Sequence, residues 1–347
     1  MNTPAYEPRT PALSVVCDAI GERAEETGRD GPWQSGVFSL LAASGMLAAF
    51  IPADCGGTEA DEPSVLEALV AIAERCLTTA LALTQWASAC RIIAAGPPEV
   101  RGAWLPALAR GESFTTVGIS HLSTSRRHLA APALAARRDA DGWRLEGTCP
   151  WVTGADACDS IVTGAATATG EQLFFIVPTD AAGLSIAPPL DMLALSGSLT
   201  SSVAFAGVRP AASIAPSGGG VRTGGLATTA LALGGTRASL AVLEAEAANR
   251  PGLAPIAERL RTELVDLATQ LDSAARGGIS PEARDQLRGD ANSLVVRTAQ
   301  AALTASKGAG FVAGHPAERL VRESLFFLVW SCPQTVADAM LCDLAGA

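Results

Sequence analysis

A chain of 347 residues, with a formal net charge of −10 and 48% hydrophobic side chains, has enough material for a large core or several domains. The acidic balance, with no basic patch carrying interleaved aromatics, argues against a nucleic-acid partner. Eight cysteines occur without a CxxC pair or Cys/His ligand spacing, so no metal site is expected and the thiols should be reduced. The opening MNTPAYEPRTPALS lacks the basic start and apolar run of a signal peptide, and charges or turn residues interrupt every apolar stretch. A soluble cytoplasmic protein with no membrane partner is the expectation.

Residues 1–112 read as a helical domain. ALSVVCDAIGERAEE and SGVFSLLAASGMLAAF place apolar residues at three-to-four spacing. The turn-rich PADCGGTEADEP follows, then a long, nearly all-round apolar helix beginning at Ser64, with one break allowed along it. PPEVRGAWLPALARGE adds a short helix with proline at its start.

Over 113–222 the texture changes to short β-rich runs separated by Gly, Pro, Asp and Ser. RRDADGWRLEG has an Asp-Gly turn between two alternating runs, a hairpin signal. Roughly seven strands at this spacing predict a central antiparallel β-barrel or sandwich. PSGGGVRTGG then leads into a C-terminal helix bundle over 223–347. There Leu260, Leu264, Leu267 and Leu271 share one helix face, and Ser280, Pro281 and Glu282 form a helix start. Near the end, RESLFFLVW starts as an amphipathic helix, becomes wholly apolar, and stops at Ser331-Cys332-Pro333. The fold class is therefore α+β, in the order helices, β domain, helices.

That order, with three segments, resembles the acyl-CoA dehydrogenase family over nearly the whole chain. WRLEGTCPWVTGADACDSIVTGA, residues 143–165, is similar to the family's Trp-x-Thr segment. The likeness implies that Trp151 stacks near the isoalloxazine of FAD and that Thr153 hydrogen-bonds its reactive edge. Residues 174–210 follow a second family pattern, with Ser196 in place of its usual Arg. KGAGFVAGHPAERLVRES, residues 307–324, resembles the family's Gly-rich helix junction. There Gly308 and Gly310 are implied to let backbone amides approach the cofactor's pyrophosphate or adenine end.

The departures concern the chemistry. The family removes a Cα proton with a carboxylate raised in pKa by an apolar pocket. By match, Ser331 occupies the position of that Glu, and the alternative location offers Thr228. Neither hydroxyl is a strong base without a partner. The flavin loop reads Ile119 to Arg127, where Ser120 and Ser125 remain as hydroxyl donors. His121 is either an acid–base candidate near flavin and substrate or a group that caps the loop or faces solvent. Of the family's motif reaching a neighbouring subunit's cofactor, only Arg250 survives. The resemblance implies an FAD-dependent oxidoreductase of an acyl thioester, on CoA or a carrier protein, with a non-standard or missing base. Alternatives are a base-lacking subunit paired with a homologous catalytic chain, and a non-redox member without FAD. A homodimer or tetramer is the family's habit.

Overall fold

The structure is a computed structural model that describes residues 10–24, 35–123, 132–216, 225–277, 279–330 and 334–345. The helices that come first are α1 (Thr10–Glu22), α2 (Ser35–Ala43), α3 (Glu62–Arg75), α4 (Leu77–Ala94) and α5 (Pro98–Ala109), with a single helical turn at Met46–Ala49 after α2. Asp61 starts α3 by accepting a hydrogen bond from Ser64 N at 2.9 Å, with Pro63 in the first turn. The long apolar helix expected from Ser64 onward is broken at Cys76, whose extended backbone (φ −154°, ψ 106°) separates α3 from α4. α4 is buried on most of its circumference, as its composition implies.

Eight strands follow: β1 (Thr115–Gly118), β2 (Leu134–Asp139), β3 (Gly142–Val152), β4 (Ser160–Ala166), β5 (Gln172–Pro178), β6 (Leu184–Ile186), β7 (Ser201–Val208) and β8 (Ala212–Ile214). They form one sheet in the order β6-β7-β3-β2-β4-β5-β8, with β1 added beside β4. The expected antiparallel pattern holds along most of it, but β1 and β2 each pair with β4 in parallel. The β2–β3 hairpin turns through Ala140 and Asp141, one residue earlier than the Asp-Gly signal, because Asp139 pairs with Gly142. Gly142 opens β3 at φ 120°, a value other residues rarely adopt.

Helices return as α6 (Leu226–Asn249), α7 (Ala254–Ala275), α8 (Pro281–Ser306), α9 (Pro316–Ser324) and α10 (Gln334–Ala345). Leu260, Leu264, Leu267 and Leu271 are buried along α7. Ser280 caps α8 by accepting from Ala283 N. By length and composition α6 is apolar enough to cross a membrane, yet its most apolar stretch is 72% buried and the helix packs against α3, α7 and α8. α6 approaches α3 so closely that a Cβ on Gly234 would lie 2.5 Å from Ala73 Cβ. After α9 the apolar run does not continue as α-helix; Leu325–Leu328 tighten into a single 3-10 turn.

Both helical sections and one face of the sheet, through Val117, Val162, Ile176 and Ile214, share a single apolar core. The other sheet face has its own smaller core around Leu145, Phe175 and Phe205. The sheet is thus clamped between its own inner packing and the helices, which leaves one edge of the helix–sheet seam open as a cavity.

Candidate active site

A cavity of about 420 Å³ lies along that seam. Its sheet wall is built by Val117, Ile119, Ser120, Trp151, Thr153 and Thr200, and its helical wall by α3, α4, the start of α6, and the tip after α9.

The position of Trp151 follows from an irregularity in strand pairing. Between Cys149, paired with Val203, and Val152, paired with Ser201, β3 carries one residue more than β7. Such a bulge re-aims a side chain. Val152 is fully buried, whereas Trp151 is 47% exposed at the cavity and stacks on no other ring among the described residues. Thr153 follows it, nearly buried, with Oγ1 3.2 Å from Thr200 Oγ1. Thr200 Oγ1 is in turn 2.8 Å from Ser198 Oγ, and Thr116 donates to Thr153 O at 2.7 Å. Leu195 and Leu199 bracket the turn over Ser196–Ser198, both at positive φ (63° and 47°), so the chain holds this hydroxyl line in a sparsely populated backbone conformation.

Ser120 also lines the cavity, on a single helical turn that packs onto β4. The turn fits there because β4 presents Gly164, where a Cβ would meet Leu122 Cδ1 at 2.3 Å. His121 lies on that packing side. It is buried, its Nε2–H donates to Gly164 O at 2.7 Å, and it is not among the residues lining the cavity. This bond ties the turn to β4, and the ring's burial is contrary to its facing solvent. Cys149, beneath Ser120, has its thiol pushed up to about 12 by burial, which makes it an inert packing group.

The helical wall is mixed. Leu66, Leu69, Leu81 and Phe50 are apolar, but α4 also turns Thr84, Gln85 and Ser88 toward the space. Thr84 donates to Leu81 O at 2.6 Å and Ser88 to Thr84 O at 2.7 Å, so their protons are taken by the helix backbone. Among the described lining residues the charges are Glu62 and Arg91, both exposed at the rim. The tip contributes Phe326, Val329 and Trp330. Thus the apolar end of RESLFFLVW, which composition alone would bury entirely, forms part of the cavity wall.

The structure unites Ser120, Trp151 and Thr153 but not every residue singled out in the sequence. Ser125 and Ser331 lie outside the described residues. Gly308 and Gly310 sit in the 3-10 turn Lys307–Phe311 and do not line the cavity. Gly310 is required by its own chain, since a Cβ there would meet Ser306 Cβ at 2.6 Å, whereas Gly308 faces open space. Lys307, which opens this turn, adopts φ 53°. Arg250 is held within the chain, paired with Glu246 at 2.6 Å and donating to Ala305 O. Thr228 does line the cavity, with its hydroxyl donating to Gly225 O at 2.7 Å. His315 accepts from Ala317 N as the cap of α9. Sequence reasoning missed Thr200, although it lies inside the second matched pattern. It also missed the polar side of α4, hidden within a helix that reads as apolar all round.

The helices–sheet–helices order and this seam cavity define the acyl-CoA dehydrogenase fold. Residues 9–112 match the acyl-CoA dehydrogenase N-terminal domain. A probable acyl-CoA dehydrogenase of Bacillus subtilis is 24% identical, over 88% of each chain. Human mitochondrial short-chain specific acyl-CoA dehydrogenase is 26% identical, over 87% of this chain and 80% of its own. The butyryl-CoA dehydrogenase structure from Megasphaera elsdenii superposes with a TM-score of 0.79, covering all of both chains at 18% identity. The chain thus carries the family's N-terminal domain over residues 9–112 and has the acyl-CoA dehydrogenase fold throughout.

Proposed function

We propose that this chain is an FAD-dependent oxidoreductase of acyl thioesters that lacks the family's usual carboxylate base. The observation that carries the reading is the sheet wall: a half-exposed Trp151 ring beside the hydroxyls of Ser120, Thr153 and Thr200. A flat aromatic surface edged by hydroxyls fits a flat heterocycle with heteroatoms along its rim. Flavin, when bound, supplies a two-electron acceptor. The chain's part is to orient: Trp151 offers a face, and the Ser198–Thr200–Thr153 line fixes which way the hydroxyls point. The helical wall then receives the acyl group, on CoA or a carrier protein, among Leu66, Leu69 and Leu81.

Removing a Cα proton requires a base within hydrogen-bond reach. The described part of the tip offers Phe326, Val329 and Trp330, and the one carboxylate among the described lining residues is Glu62 at the exposed rim. This favours a second reading, in which a homologous subunit carrying a Glu completes the reaction. Purification of the chain alone, then with such a homologue, separates the two readings. Flavin absorbance from the chain alone supports the first, and flavin gained only with the homologue supports the second. A chain that stays colourless with FAD and any homologue overturns both. If flavin is bound, anaerobic addition of short-chain acyl-CoA esters should cause no rapid bleaching, and fast bleaching would mean that the chain supplies a base of its own.

A further inference from the structure

A 3-10 turn that stops abruptly leaves carbonyl groups without partners in its own segment. In the tip, Phe326 O is used within the segment, accepting from Val329 N at 3.2 Å and Trp330 N at 2.9 Å. Phe327 O and Trp330 O are taken by two side chains one turn apart on α8. Asn292 Nδ2 donates to Phe327 O at 2.9 Å, and Arg288 Nη2 donates to Trp330 O at 3.0 Å. Arg288 Nε also donates to Asn292 Oδ1 at 3.0 Å, which joins the two into one unit. Both are almost fully buried, Arg288 at 2% exposure and Asn292 at 0%. The guanidinium lies 5.8 Å from the Trp330 ring centroid, and that ring stacks on Phe326 at 5.0 Å with 19° between planes. Trp330 and Phe326 both line the cavity.

Burying a guanidinium is costly unless its donors are satisfied, and one that grips main-chain carbonyls fixes a backbone. We propose that Arg288 and Asn292 are positioning residues of the acyl-thioester site. They cap the tip so that Phe326 and Trp330 stand as a rigid wall opposite Trp151, and so set the width available to the acyl group. The inference rests on the function proposed above for what the cavity binds, but not for the clamp itself. Its effect is selective: the sheet wall that would hold flavin makes none of these bonds.

The test uses the full chain carrying Arg288→Lys, which keeps the charge and loses the fork, and Asn292→Asp, which keeps the acceptor for Arg288 and loses the donor to Phe327 O. Amide hydrogen exchange in residues 325–330 should rise at least ~10-fold in each, with exchange in β3 and β7 unchanged. Titration with butyryl-CoA should show a dissociation constant raised ~10-fold, the size expected for one lost hydrogen bond, while FAD affinity stays within about twofold. Unchanged exchange at 325–330, or equal losses for FAD and butyryl-CoA, overturns the proposal. Should a variant fail to fold, Asn292→Ser, which loses the long donor with less disturbance, carries the same exchange test. A wild-type chain that binds neither probe overturns the proposed function, and the exchange result still decides the clamp.

Discussion

The two walls of the cavity are held by different forces. The sheet wall stands on backbone pairing, a one-residue bulge and a line of hydroxyls, so its geometry is set by directional bonds. The helical wall stands mainly on close packing, its tip alone being also bonded by Arg288 and Asn292: Gly235 of α6 would place a Cβ 3.1 Å from Val295 and 3.8 Å from the Phe327 ring. Directional bonds keep a few atoms in place, whereas packing keeps a shape. A flat cofactor needs the first and an apolar acyl chain the second.

The largest expected effect comes from breaking the packed wall at its base. Phe327 is fully buried beneath the cavity-lining Phe326 and Trp330. Phe327→Ala should cost about 3–5 kcal/mol, read as a lower midpoint in urea or guanidinium unfolding. A loss within the surface range of about 0.5 kcal/mol would mean that the tip does not depend on this packing. On the sheet wall the matching change is Thr200→Val, which keeps the shape and removes the partner of both Thr153 and Ser198. It should cost about 1–3 kcal/mol, less than the core truncation, and should lower flavin retention on gel filtration. Wild-type retention would show that the hydroxyl line does not orient the site.

The contrast also explains what the sequence made legible. Bond-directed features leave local signatures: Ser280 with Pro281 and Glu282, the alternation in β7, and the Trp151–Thr153 segment are all readable as short strings. Features that join distant segments do not, whether packing or hydrogen bonds, because they depend on partners far along the chain. Nothing in RESLFFLVW indicates that Arg288 and Asn292, about forty residues earlier, cap its end. Nothing near Cys76 marks the break between α3 and α4. Nor does the string around Gly310 show that a Cβ there would meet Ser306. Likewise, nothing around His121 in the sequence indicates that its Nε2 meets Gly164 O, forty-three residues away.

The smallest expected effect sharpens the same contrast by titration. Glu323, at the end of α9, is 4% exposed, and Arg319 Nη1 donates to both its carboxylate oxygens at 3.2 and 3.3 Å. Burial pushes its pKa up and outweighs the lowering by Arg319. A carboxyl that holds its proton more tightly in the folded chain than in the unfolded one favours folding most below the ordinary Glu range. That contribution is lost as pH rises through the raised folded value. Glu323→Gln cannot titrate and keeps a hydrogen-bonding side chain of similar shape. The stability of the wild type relative to Glu323→Gln should therefore fall as pH rises from about 4 upward, the ordinary Glu value being about 4.3. Urea unfolding of both proteins across that range reads the difference directly. A difference that grows with pH instead would mean that the Arg319 ion pair outweighs burial.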